Sequence, residues 1–470
     1  MESWLKISWV LCIFGFLREI RPSEPYHAEI LMSDWYHVTQ EEINRSVYPV
    51  GTYSYLALQI FVFLITDFLR YKPVIIANAL TGILVWSTLL WTTTLTGLQV
   101  VEVFYGFYQA AEVAYYAYIY AKVDKKYYPL VTSYTRSAMF VGKLVGGLLA
   151  QLMIGMHWMV YRQLYIISIT SQVLALFWSF GLPKVEKSLY FHSQSGAGKD
   201  DTKSDAAVIE NGSQKPEETV EKPSPATKQS FHAFQLLWTH FHSAYTNPTV
   251  LQWSLWYAMI LAGFLQISTY MQVVWKSYDE PTIAWNGAVD AALTALSAVF
   301  SLLAGYFPAS RLKTRTSFLT IAVLSVLQGG CILLSSWTSN IYYSYLGYVL
   351  FGGLFAFTIT VARFVLSLNL FVVNLPMYRS SCSSELASSL VEDSFALVFG
   401  FNTFIALLLQ CILTFVVVSE NVNLNLNVFE QFTVYAFYFM VIGIVYFTVV
   451  VLQCVWSGVK GPKTNKEVVN

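Results

Sequence analysis

The chain has 470 residues, of which 56% are hydrophobic and 17% aromatic, while only 12% are charged. A soluble domain carries about 25% charged residues, so most of this surface faces something other than water, and soluble-enzyme readings are set aside. Lysine plus arginine balance aspartate plus glutamate at 28 each, which argues against a polyanion such as nucleic acid as the partner.

A spanning helix needs roughly 20 mostly apolar residues. The first such stretch, around 4–20, resembles a signal peptide. No small-residue cleavage site follows it, only Arg21, Pro22, Ser23, Glu24 and Pro25, so it reads as the first span. Further spans fall near 48–68, 73–93, 96–121, 128–154 and 162–182. A second set falls near 250–275, 283–307, 315–337, 342–372, 395–418 and 430–456. Six spans, a break and six more predict an all-α membrane protein of about twelve transmembrane helices in two six-helix bundles, with a substrate site between them near the midplane. The expected organisation is an N-terminal bundle over 1–183, a central loop over 184–248, a C-terminal bundle over 249–458 and a tail over 459–470. Residues 193–230 are rich in Ser, Lys, Asp, Glu and Pro and lack aromatics, the composition of a disordered tether. Residues 376–394 are polar and Ser-rich and are expected to be a long loop between the tenth and eleventh spans.

Short-loop basic residues set the orientation. Arg70, Lys72, Lys122, Lys125, Lys126, Arg311, Lys313 and Arg315 fall on one side, together with Lys460, Lys463 and Lys466 of the tail. Both termini and the central loop are therefore expected in the cytoplasm. The sequon Asn44-Arg45-Ser46 then falls in the first outer loop, where Asn44 is a candidate glycosylation site. Cys12, Cys331, Cys382, Cys411 and Cys454 show no paired spacing, so neither a disulfide framework nor a zinc site is expected. No phosphate-cradling Gly loop and no catalytic constellation occurs, so the reading is secondary transport without a cofactor rather than an ATP-driven pump or an enzyme.

Charges inside spans are costly and are functional candidates by default. They are Glu102, Glu112, Arg136, Lys143, Asp290 and Arg363, with Glu24 at the end of the first span. On an unbroken helix Tyr108, Glu112, Tyr115 and Tyr116 form one stripe, a setting that suits an organic cation. The competing reading pairs Glu112 with Arg136 across the hairpin of the fourth and fifth spans. Asn286 and Asp290, four apart, are expected to face the cavity together. Lys143 and Arg363 either neutralise these carboxylates or bind an anionic substrate. Asp67 and Arg70 at the turn after the second span are a candidate conformational latch. The pair Gly146–Gly147 needs only close helix packing. A non-transporting receptor or scaffold is the reading from another class, and charges distributed over both halves argue against it.

Long runs carry a family resemblance: Arg21-Pro-Ser-Glu24-Pro, Thr52-Tyr-Ser-Tyr-Leu56, Thr66-Asp-Phe-Leu-Arg70-Tyr-Lys72-Pro-Val-Ile-Ile76, Val100-Val-Glu102-Val-Phe-Tyr-Gly106, Ala110-Ala-Glu112-Val-Ala-Tyr115-Tyr116 and Asn286-Gly-Ala-Val289. The chain resembles the reduced folate and thiamine carriers, the vitamin-transporting solute carrier family 19. The resemblance implies a major-facilitator fold, a plasma-membrane location and uptake of a small vitamin. Its thiamine-type pattern implies that Glu24, Glu112, Tyr115 and Asn286 line the site. The folate type places basic residues where this chain has Glu112, Gln410 and Gly352, so a thiamine-like cation is the favoured substrate and folate the alternative. Two departures pull the other way. Gly51 stands where thiamine carriers tend to have Trp, and Lys143 and Arg363 add cations.

Overall fold

A computed structural model describes residues 3–36, 38–123, 127–185, 242, 245–278, 284–306, 314–380, 384–418 and 426–459. Among them no strand occurs. The long helices, in chain order, are α1 (Ser3–Glu19), α2 (Tyr48–Phe68), α3 (Lys72–Trp91), α4 (Leu95–Ala110), α5 (Glu112–Lys122), α6 (Tyr128–Gly155) and α7 (Leu164–Ser179). They continue with α8 (Pro248–Lys276), α9 (Asn286–Tyr306), α10 (Thr314–Trp337), α11 (Ile341–Ser380), α12 (Ser384–Leu413) and α13 (Val428–Val459). Nine helical stretches among the described residues have the length and apolarity to cross a membrane. The other three expected spans are α1, with 17 residues, α7, with 16 residues, and the pair α4–α5, which breaks at Ala111. Every span expected from the sequence thus corresponds to a helix. Lipid-facing apolar side chains such as Phe61, Leu84, Phe177, Leu302 and Ile444 remain exposed, as they must on a surface that meets hydrocarbon instead of water.

Local chemistry sets the ends. Thr94 caps α4 by accepting from the Gly97 N–H at 3.1 Å, and Asn247 caps α8 by accepting from Thr249 N–H at 2.9 Å with Pro248 at the first helical position. The α2–α3 turn is tight: Arg70 and Tyr71 both take positive φ. Lys72 there donates to the carbonyls of Phe180 (2.9 Å) and Leu182 (2.5 Å), which supplies a cation to the carboxyl end of α7. The side chain of Asp67 lies outside the described residues, so of the candidate latch only exposed Arg70 is placed.

Two expectations are corrected. Of residues 376–394, expected as a long loop, 376–380 continue α11 and 384–394 open α12, so polar sequence extends two helices there. Asn44 is buried at 4% exposure, within a π-helical turn. A glycan needs that side chain in water, so the folded chain does not support the sequon reading. The tether over 193–230 and the tail lie outside the described residues.

The halves meet along two seams, α6 against α9 and α2 against α12. Small residues permit the closest approach: a Cβ on Gly147 would sit 2.8 Å from the Gly287 carbonyl, and a Cβ on Gly287 would sit 2.8 Å from the Gly147 carbonyl. The end that carries residues 26–42 is tied across the halves. Tyr26 hydroxyl bonds the Ala284 carbonyl at 3.0 Å, Gln40 donates to Ser277 at 2.6 Å, and Lys276 pairs with Glu29 at 2.6 Å.

Candidate functional site

A cavity of about 400 Å³ lies between the halves, walled by the segment that follows α1 and by α2, α3, α4, α6, α8, α9, α11 and α12. That volume falls in the usual range for small-molecule sites, ~300–1,000 Å³. Its rings include Tyr48, Trp86, Tyr105, Phe264, Trp275 and Tyr348. Apart from His27, its charged lining among the described residues consists of two basic side chains, Arg21 and Lys143, and three carboxylates, Glu24, Glu102 and Asp290.

Glu24 sits in a short 3₁₀ turn after α1, started by Pro25. Its carboxylate accepts from Arg21 at 2.6 Å and from the Tyr105 hydroxyl at 3.1 Å, while its carbonyl accepts from Gln272 Nε2 at 2.8 Å. Arg21 also grips Glu19 at 2.6 Å, Glu19 grips Arg18 at 2.6 Å, and Arg18 reaches Glu112 at 3.2 Å. A chain of alternating charge therefore runs from Glu112 to the cavity, with each buried ion satisfied by the next.

The helix break explains the far end of this chain. With the ladder interrupted at Ala111, the Tyr108 carbonyl accepts from Asn78 Nδ2 at 2.6 Å and from Arg18 Nη2 at 3.5 Å. Arg18 is 2% exposed, also donates to Asn78 Oδ1 at 3.0 Å and lies 4.6 Å from the centre of the Tyr108 ring.

This geometry corrects the tyrosine stripe. Glu24 and Asn286 line the cavity, as do Lys143 and Asp290, but Glu112, Tyr115, Tyr116, Arg136 and Arg363 are not among its lining residues. Tyr115 hydroxyl donates to the Leu11 carbonyl at 2.8 Å and its ring packs on Phe14. Tyr116 donates to Met139 Sδ at 3.3 Å, and Arg136 lies 5.4 Å over the Tyr116 ring. Arg363 donates to Tyr257 hydroxyl at 3.1 Å. One stripe requires a continuous helix; the break buries Tyr115 in the N-terminal bundle and leaves Glu112 half-exposed and Tyr116 partly buried.

A third carboxylate in the cavity, beside Glu24 and Asp290, is Glu102, one of the intramembrane charges given no role by the sequence. It is 8% exposed and makes no hydrogen bond or ion pair among the described residues. Its position follows from two glycines. At Gly106 a Cβ would meet the Tyr55 backbone nitrogen and Ser54 Cβ at 2.8 Å, so α4 crosses α2 almost backbone to backbone. One turn earlier Glu102 fills the notch at Gly51, where a Cβ would lie 2.1 Å from its Oε2. Gly51, where the thiamine-type resemblance implies Trp, thus makes room for a carboxylate. A signal for this was present in the sequence: a small residue four after the acid on one helix face, matched by a glycine on a neighbouring span. Tyr105, three residues from Glu102, was likewise missed. Gln410 also lines the cavity, at a position where the folate-type pattern implies a basic residue. No cluster of three or more His, Cys, Asp or Glu suited to a metal occurs among the described residues.

The reduced folate carrier family model matches residues 2–378 and 380–434. The chain belongs to the reduced folate carrier family. Thiamine transporter 2 of Macaca fascicularis is 36% identical over 464 residues, covering 94% of this chain and 89% of the relative. Folate-like transporter 2 of Caenorhabditis elegans is 32% identical, covering 99% and 100%, and the mouse reduced folate transporter is 31% identical, covering 98% and 83%. Among solved structures, a point mutant of the nucleoside transporter NupG superposes with a TM-score of 0.61 at 13% identity, covering 94% of this chain and 99% of that one. The human organic anion transporter MFSD10 gives 0.53 at 12% identity, covering 95% and 100%. This member of the reduced folate carrier family therefore has the major-facilitator fold and is a multi-pass membrane transporter, not an enzyme.

Proposed function

We propose that this family member is a plasma-membrane uptake carrier for a water-soluble B vitamin, a thiamine-like organic cation, moved by a gradient or by exchange without ATP hydrolysis. The observation that carries the reading is Glu102, a buried carboxylate with no partner among the described residues, in a cavity with three acidic and two basic side chains. Both cations there already hold carboxylates, Arg21 with Glu24 and Glu19, and Lys143 with Asp290. A monocation entering the site supplies Glu102 with its missing counter-ion, and the rings of Tyr105 and Trp86 add cation–π attraction. Glu24 and Asn286 complete the polar contacts. A folate dianion meets two cations that both already face carboxylates, Arg21 tightly and Lys143 more loosely, which makes folate the second reading, supported by the named folate relatives. On the topology expected from the basic loops, the end tied by Tyr26, Gln40 and Lys276 is the outer one, so this state is closed to the outside.

Removing one partner of a desolvated charge contact costs about 2 kcal/mol or more, roughly 30-fold in affinity. Glu102→Gln is therefore expected to raise the thiamine KM about 30-fold in cells where the variant reaches the surface normally. A KM within threefold of the parent would remove Glu102 from the site.

A further inference from the structure

Lys143 is a cavity cation held from the opposite bundle by a loose contact. Its Nζ lies 3.5 Å from Asp290 Oδ1, with side-chain exposures of 38% and 22%. The ion pairs that Arg21 makes in the cavity wall close at 2.6 Å. A charge-assisted N–H···O bond is normally about 2.7–2.9 Å, so the Lys143–Asp290 contact is coulombic attraction without a formed hydrogen bond. One turn from Asp290 on α9, Asn286 is 1% exposed. Its Oδ1 accepts from Tyr345 hydroxyl at 3.0 Å, but its Nδ2 has no partner among the described residues. A buried donor without a partner is costly to leave unmet. Lys143, Asn286 and Asp290 all line the same cavity as Glu102.

An ammonium that is weakly held and an amide N–H that is unmet are both donors, and both lack an oxygen. We infer that Lys143 and Asn286 Nδ2 form a subsite for an acidic group, so that the carrier takes organic cations bearing a phosphate monoester or carboxylate, with Lys143 as its specificity-determining residue. This deepens the cation reading and rests on it: Glu102 holds the positive centre, and the acidic group takes Lys143 away from Asp290. The exchange also bears on the transport cycle. Lys143, Gly147 and Gln151 are spaced four apart on the α6 face that meets α9, and Gln151 Oε1 accepts from the Ala288 N–H at 3.1 Å. A ligand that draws Lys143 off Asp290 thus releases the cavity end of that seam.

The test compares thiamine with thiamine monophosphate, which differ only in the acidic group, as inhibitors of labelled thiamine uptake. The readout is the ratio of their half-inhibitory concentrations, in the full-length carrier at matched surface level. Lys143→Met is expected to raise the ratio of monophosphate to thiamine at least tenfold, Lys143→Arg to keep it within threefold, and Asp290→Asn to lower it. A purely structural ion pair would move Lys143→Met and Asp290→Asn in the same direction. An unchanged ratio in Lys143→Met, or parallel shifts in the two variants, overturns the inference while thiamine uptake by the parent chain leaves the cation reading standing. Absence of thiamine uptake by the parent chain overturns both.

Discussion

Gly51 offers a perturbation whose size follows from the coordinates. A Cβ at this position lies 2.1 Å from Glu102 Oε2, against an ordinary contact of 3.4 Å or more. Gly51→Ala therefore displaces the carboxylate oxygen by about 1.3 Å. For a ligand cation initially about 4 Å away, at an effective dielectric of about 20, the attraction falls from about 4 to about 3 kcal/mol. The lost ~1 kcal/mol is roughly fivefold in affinity. Stability moves the other way, because Ala in a helix interior is favoured over Gly by roughly 0.5–1 kcal/mol and the obstructing atom is the end of a movable side chain. The assay pairs thiamine uptake kinetics with the thermal unfolding midpoint of the detergent-purified protein. A KM about fivefold higher with an unchanged or raised midpoint is expected. An unchanged KM, or a loss of affinity that merely tracks a lowered midpoint, would refute the notch as the seat of the cation-binding carboxylate.

Other substitutions separate structure from site. Arg18→Met leaves Glu19 to Arg21 alone, takes the Arg18 contact from Glu112 and leaves the Tyr108 carbonyl to Asn78 alone; breaking a buried pair costs up to about 3–5 kcal/mol, so a clear drop in the unfolding midpoint is expected by fluorescence-detected chromatography. Glu112→Gln touches the same network from its half-exposed end and outside the cavity. It should lower the midpoint modestly while leaving the thiamine-to-folate selectivity of uptake where it was, and a selectivity change would return Glu112 to the site. Gly147→Leu drives a side chain into the Gly287 carbonyl, which is backbone and cannot swing away. Uptake should be lost at normal surface level, and retained uptake would show that α6 and α9 need not approach this closely.

The fold was largely legible because length and apolarity decide membrane spans with little help from tertiary context. Each of the twelve stretches is helical, one of them as the pair α4–α5, and the helical nature of 376–380 and 384–394 was missed because polar composition reads as loop whether or not a helix simply extends beyond the apolar core. The site was half legible. Glu24, Asn286, Lys143 and Asp290, which line the cavity, were legible as candidates because a charge or amide in a span stands out. Glu112, Tyr115 and Tyr116 were misplaced because helical spacing says which residues share a face only while the helix continues, and the break at Ala111 is signalled by no proline or glycine. Glu102 was underrated because its role depends on Gly51, some fifty residues away, and only the crossing of α2 and α4 brings the two together.

The central claim is that Glu102, an unpaired carboxylate in a cavity whose two cations already face carboxylates, selects a cationic vitamin. Uptake of labelled thiamine and labelled folate in cells lacking their own carriers tests it most directly. The account predicts saturable thiamine accumulation and no folate accumulation at equal surface expression; folate accumulation without thiamine would contradict it.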